Sequence, residues 1–190
     1  RLASAIASRR GIIVCGEMPL QDSFAEAVTA LAAHLDCPLL AEPLSNLRFG
    51  PHDRSHLCFR YNSWLNDPQA SQEVQPDWIL RFGAFPVTRN LQGLLAGSPA
   101  IHALVEPWPR WSDPQHNVTH LLRADPLAFC EALLAAAPHP ATADWHAAFT
   151  TREASAASEA SGHVGILIDE LPTGAPLFVG NSLAIRQVDS

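Results

Sequence analysis

The chain has 190 residues, 47% of them hydrophobic and 16% charged, a composition that fits a globular core. Its formal net charge is −7 and all 12 basic side chains are arginine, which excludes the dense positive surface that non-specific nucleic-acid binding requires. No uninterrupted apolar stretch approaches the roughly 18 residues of a membrane span, so no membrane insertion is expected.

The opening, RLASAIASRRG, reads as a helical tail or an incoming linker. Residues 11–16, GIIVCG, form an unalternated β-branched run closed by glycine, which predicts a strand buried on both faces of a parallel sheet. Ser23-Phe-Ala-Glu26 fits a capping box, and Phe24, Val28, Leu31, Ala32 and Leu35 recur at helical spacing behind it. Residues 37–42, CPLLAE, predict a second short buried strand, so the first unit is a right-handed strand–helix–strand crossover. Residues 43–56 are turn-rich and polar, and 58–65, CFRYNSWL, read as a short helix.

Trp78 to Phe82 predicts a third strand, and the stretch from Pro86 a helix with Gly97 past its end. Residues 100–106 predict a fourth strand; 107–117 are broken by prolines; Val118 to Arg123 read as a fifth, edge-like strand. Asp125 followed by Pro126 opens a strongly apolar helix. Residues 138–142, PHPAT, are the linker candidate, and 143–162 read as helical but weakly packed. Val164, Leu167, Ile168 and Leu171 make one more helical stripe, and Leu177 to Val179 a short strand entering the turn Gly180-Asn181-Ser182. The fold class is therefore α/β, a Rossmann-like parallel sheet flanked by helices. Residues 1–137 carry the sheet pattern, 138–142 form the linker, and the pattern changes over 143–190.

Cys15, Cys37, Cys58 and Cys130 match no zinc or redox spacing and read as reduced core residues, which implies a cytoplasmic protein. His52, His56 and Cys58, or His116 with His120, contain metal-ligating residue types, but loop placement and i,i+4 spacing across a strand boundary assign no metal site. The carboxylates, Asp113 and Asp125 among them, read as turn formers and caps. GIIVCGEMP lacks the glycines of a dinucleotide fingerprint, and without lysine there is no P-loop. Arg89 follows a strand end and projects from the carboxyl edge of the sheet, where it is either a surface charge or a carboxylate ligand. Asn181, Ser182 and Arg186 pose the same choice at a helix start.

The segments WILRFGAFPVTRNL, AEPLSNLRFG and PLFVGNSLAIRQVD, in that order, resemble the thiamine-diphosphate-dependent 2-succinyl-5-enolpyruvyl-6-hydroxy-3-cyclohexene-1-carboxylate (SEPHCHC) synthases of menaquinone biosynthesis. The resemblance runs from about residue 10 to the end. It implies a three-domain parent whose central domain is a six-stranded parallel sheet without a nucleotide, and a reaction that decarboxylates 2-oxoglutarate and adds the product to isochorismate. It implies thiamine diphosphate and Mg2+ in the parent, assembled as a dimer or tetramer, and substrate contacts from Arg89, Asn181, Ser182 and Arg186. Arg89 stands where the family usually has lysine, and Asn90 where some members have arginine. The family's catalytic glutamate would precede Arg1 and its G-D-G…N magnesium motif would follow Ser190. By this likeness 1–137 is the central domain and 143–190 the truncated beginning of the diphosphate-binding domain, so the chain reads as an excised, inactive piece with no catalytic residue and no bound cofactor of its own. The alternatives are a stand-alone Rossmann-like domain binding a nucleotide or small anion, and an interaction module without catalysis.

Overall fold

The computed structural model describes residues 1–19, 21–142, 144–156, 166–167, 170–172 and 174–180. Its core is a six-stranded, all-parallel sheet in the order β3-β2-β1-β4-β5-β6. The strands are β1 (Gly11–Cys15), β2 (Leu39–Ala41), β3 (Leu57–Cys58), β4 (Trp78–Phe82), β5 (Ile101–Val105) and β6 (His120–Leu122). The order reverses between β1 and β4, which is the doubly wound arrangement with its switch point at those two strands.

Both faces of the sheet are covered, which is why β1 is apolar without alternation and β4 is so apart from Arg81. Ile13, Cys15, Leu39, Leu80, Phe82, Ala103 and Val105 face one layer, formed by α1 (Leu2–Ile6), α2 (Phe24–Leu35) and α6 (Pro126–Ala135). Ile12, Val14, Leu40 and Ile79 face the other, formed by α3 (Tyr61–Trp64), α5 (Arg89–Gly97) and α7 (Asp144–Ala156). A short helix, α4 (Pro68–Glu73), is capped by Asp67, whose side chain accepts from the Gln69 amide. All four cysteines are free and buried, and burial pushes the Cys130 thiol up to about 12.

Several local expectations need correction. Asp125 caps α6 as its sequence indicates, accepting from Ala128 N at 3.0 Å. Ser23 does not form a capping box: its backbone is left-handed (φ 64°) and its side chain makes no cap bond. Residues 58–65 divide into β3 and α3 rather than one helix. Helix α5 starts at Arg89, not near Pro86, and Gly97 is its last residue. Residues 175–180 form no strand; without a neighbouring strand Leu177 stays exposed and Phe178 is 94% exposed. Much of the stripe from Val164 to Leu171 lies outside the described residues, as do Asn181, Ser182 and Arg186.

The segment 138–142 leads into α7, which is firmly packed rather than weakly so. Trp145, Phe149 and Glu153 lie one helical turn apart on a single stripe, and all three are buried. The Trp145 indole donates to the Gly11 carbonyl at 2.8 Å. The Glu153 carboxylate accepts from Phe59 N, Arg60 N and Trp64 Nε1, each at 2.9 Å.

Candidate functional site at the carboxyl edge

In doubly wound sheets the crevice beyond the carboxyl ends of the switch-point strands receives the ligand. Here the loops after β1 and β4 close it against each other. Gly16 N donates to Phe82 O at 2.9 Å and Ala84 N to Glu17 O at 2.8 Å. A Cβ on Gly16 would stand 2.0 Å from Ala84 O, and Gly83, at φ +73°, would bring one within 2.6 Å of Glu17 O. The two loops are thus in close backbone contact, with no room for a side chain at either glycine.

One strand further along, Glu42 leaves the end of β2 with its side chain buried. Its Oε1 accepts from Tyr61 Oη at 2.5 Å and Thr88 Oγ1 at 2.6 Å; its Oε2 accepts from Val87 N at 2.6 Å and Thr88 N at 3.3 Å. Four donors from two elements satisfy a buried carboxylate that has no ion-pair partner among the described residues. Glu42 is neither a turn former nor a cap, contrary to the reading of the carboxylates. It ties the loop after β4 to β2 and α3, and so fixes where α5 begins.

Arg89 is the first residue of α5, is exposed, and makes no hydrogen bond or ion pair with the described residues. The Thr88 hydroxyl is committed to Glu42, and α5 has no side-chain cap. Asn90 turns away, donating to Asn62 O at 2.7 Å. An uncommitted guanidinium at a helix amino end suits a carboxylate or another small anion. Around it the loops after β2, β4 and β5 expose Leu44, Phe49, Val87, Trp108 and Trp111, so the edge is apolar as well as cationic. Arg48 is no part of that open surface, since its Nε donates to Ala41 O at 2.9 Å.

Behind the edge lies a buried polar group that the sequence reading missed. Arg81 is fully buried in β4; its Nε donates to His102 Nε2 at 3.3 Å and its Nη2 to Ser112 O at 2.5 Å. Glu106 accepts from Trp108 N and Ser112 Oγ, both at 3.2 Å, and Asp113 accepts from Val118 N at 3.0 Å. Burial lowers the Arg81 guanidinium to about 10, with Asp113 and Glu106 opposing the shift. Burial, then the Arg81 charge, lowers His102 to about 4, so its ring is neutral and accepts from Arg81. This group holds the loop after β5 in shape. The sole cue was an arginine inside an apolar strand.

The histidines and Cys58 weighed for metal do not gather as paired in the sequence. His52 Nε2 lies 2.8 Å from Leu47 O, and His120 Nδ1 2.9 Å from Thr119 Oγ1. An open hollow of about 550 Å3, lined by Arg10, Ser71, Gln75, Asp77 and Gly97 among others, lies at the opposite edge and contains none of the predicted site residues. No helix among the described residues is long and apolar enough to cross a membrane.

The doubly wound, all-parallel sheet flanked by helices on both faces places the chain in the Rossmann-like class of α/β domains. Residues 2–171 match the family described as "Middle domain of thiamine pyrophosphate", and the chain belongs to that family. Its similar relatives carry one specific name, 2-succinyl-5-enolpyruvyl-6-hydroxy-3-cyclohexene-1-carboxylate synthase. The protein of that name from Dechloromonas aromatica is 54% identical over 190 residues, all of this chain and 35% of the relative. Those from Geobacillus kaustophilus and Haloarcula marismortui are 38% and 36% identical over 196 residues, covering 97% and 96% of this chain and 34% and 33% of theirs. The chain spans about a third of the length of these relatives.

Proposed function

We propose that this chain is the middle-domain part of a cytoplasmic thiamine-diphosphate-dependent SEPHCHC synthase of menaquinone biosynthesis. In the whole protein the reaction is decarboxylation of 2-oxoglutarate and addition of the product to isochorismate. The identity to synthases along the entire chain supports this reading. The observation that carries the site is Arg89, exposed and uncommitted at the start of α5 on the carboxyl edge. Both substrates carry carboxylates, and Arg89 holds one of them by charge-assisted hydrogen bonds. The family resemblance adds Asn181, Ser182 and Arg186 as further substrate contacts.

The described residues do not fit thiamine diphosphate with Mg2+. At the carboxyl edge the carboxylates of Glu42 and Glu106 are already occupied by protein donors. That occupancy supports placing the cofactor and its metal in the other parts of the parent, a reading in which the separate chain is inactive. The firm packing of α7 supports drawing the middle domain through Ala156, with the third domain beginning beyond it. The parent works as a dimer or tetramer.

The direct test is the whole protein supplied with thiamine diphosphate, Mg2+, 2-oxoglutarate and isochorismate. Formation of the SEPHCHC product is expected. Decarboxylation of 2-oxoglutarate with no transfer to isochorismate would reject the acceptor, and absence of both would reject the reading.

A further inference from the structure

Three side chains from three elements meet at the amino edge of the sheet, the end opposite Arg89. Asp36 follows α2 in a left-handed conformation (φ 47°), His56 directly precedes β3, and His146 lies in the first turn of α7. Asp36 Oδ1 is 3.2 Å from His56 Nε2 and 3.6 Å from His146 Nδ1. The two imidazoles stack with centroids 4.0 Å apart and planes 13° from parallel. The side chains are largely shielded, His56 16% and His146 15% exposed.

The hydrogen bonds around His56 fix which ring nitrogen carries its hydrogen. The Asp53 carboxylate can only accept, and it takes the Ser55 amide and the Ser55 hydroxyl, each at 2.9 Å. The Ser55 hydroxyl has spent its hydrogen, so at 3.0 Å it accepts from His56 Nδ1–H. A neutral His56 then aims a bare lone pair at Nε2 toward the Asp36 oxygen. Two acceptors at 3.2 Å repel unless a positive charge joins them. The His146 Nδ1 points at the same oxygen, at 3.6 Å. A divalent cation satisfies all three donor atoms together.

The dimensions and chemistry suit such an ion. A tetrahedral zinc with ligands near 2.0–2.1 Å sets neighbouring ligand atoms about 3.3 Å apart; the distances of 3.2 and 3.6 Å straddle that spacing. The three donor atoms lie within 4.8 Å of one another. Binding requires the two rings to turn out of their stack, so that both lone pairs meet one ion. Two imidazoles and a carboxylate form a set favoured by zinc-class metals. The Ser55–Asp53 pair behind His56 is the outer hydrogen-bonded support that ligating histidines typically have.

We propose that Asp36, His56 and His146 bind a divalent transition-metal ion of the zinc class, clamping α7 to α2 and β3. Three protein ligands leave a position for water, and the site lies apart from the substrate edge.

The test uses the whole protein that contains this chain, stripped with chelator and kept in excess Mg2+ so that ordinary magnesium sites stay filled. Zinc retained after dialysis is measured by elemental analysis, and Co2+ uptake by its visible absorption. The wild type is expected to hold one more equivalent than His146→Gln or Asp36→Asn, and to melt higher with zinc. His120→Gln, on the exposed edge strand, should keep that equivalent. Asparagine tolerates the left-handed backbone of position 36, so Asp36→Asn remains informative if His146→Gln folds poorly. Equal zinc content in the wild type and Asp36→Asn, or no retained zinc in either, would overturn the proposal and leave a proton-bridged contact.

Discussion

The Thr88 hydroxyl donates to the Glu42 carboxylate at 2.6 Å, and this contact sets where Arg89 stands. Thr88 occupies the cap position of α5 but gives its side chain to β2 instead of to the helix. The helix start, and the guanidinium on its first residue, are thereby held to the sheet edge.

Replacing Glu42 with alanine removes the acceptor of four hydrogen bonds at once. Hydrogen bonds to a charged partner contribute about 1.5–3 kcal/mol each, and stranded donors add desolvation cost, so a loss of about 3 kcal/mol or more is expected. Urea unfolding measures it. In the whole protein the same change should raise the substrate KM, because Arg89 loses its fixed position.

The buried His102 makes stability depend on pH. Its folded value of about 4 lies below the ordinary 6.5, so the unfolded chain binds the proton first. Stability is full above 6.5 and is lost as pH falls through the window from 6.5 to 4, by roughly 3 kcal/mol from this group. Unfolding curves for the wild type and His102→Gln should converge as pH drops from 7 to 5. Parallel curves would show that the ring is not buried neutral.

The closed switch point predicts what will not bind. NAD and FAD should leave the melting temperature unchanged, whereas a native-state ligand would raise it. Gly16→Ala should destabilise by about 2 kcal/mol or more, since the new methyl overlaps a backbone carbonyl that cannot move aside cheaply. A rise of several degrees with NAD would restore the stand-alone nucleotide-binding reading.

Helix α7 tests the limits of the domain. Trp145→Ala removes a large buried ring and its hydrogen bond to Gly11, and should cost about 3–5 kcal/mol in the cooperative unfolding of the sheet. An unchanged sheet transition would show that α7 belongs elsewhere.

How far the sequence speaks follows from these same residues. β1, β4 and β5 were legible because strands covered on both faces carry largely apolar runs, broken only by Arg81 and His102, and α6 because Asp125 and Pro126 mark its start. β3 was not, since Leu57–Cys58 is too short to show any period. The Ser23 motif misled because motif spacing says nothing of the backbone angle at the cap. Arg89 was legible as a charge just past a strand end. Glu42, Arg81 with His102, and Asp36 with His56 and His146 were not, because their partners lie between 19 and 110 positions apart and meet only through the parallel register and the docking of α7.

The most direct measurement is steady-state kinetics of the whole protein with Arg89→Ala and Arg89→Lys. The alanine variant should raise the KM of a carboxylate substrate about 10–100-fold, the loss expected for a charge-assisted contact. Lysine, the residue usual in the family resembled, should recover most of it. An alanine variant with unchanged KM and kcat for both 2-oxoglutarate and isochorismate would contradict the placement of the substrate at this edge.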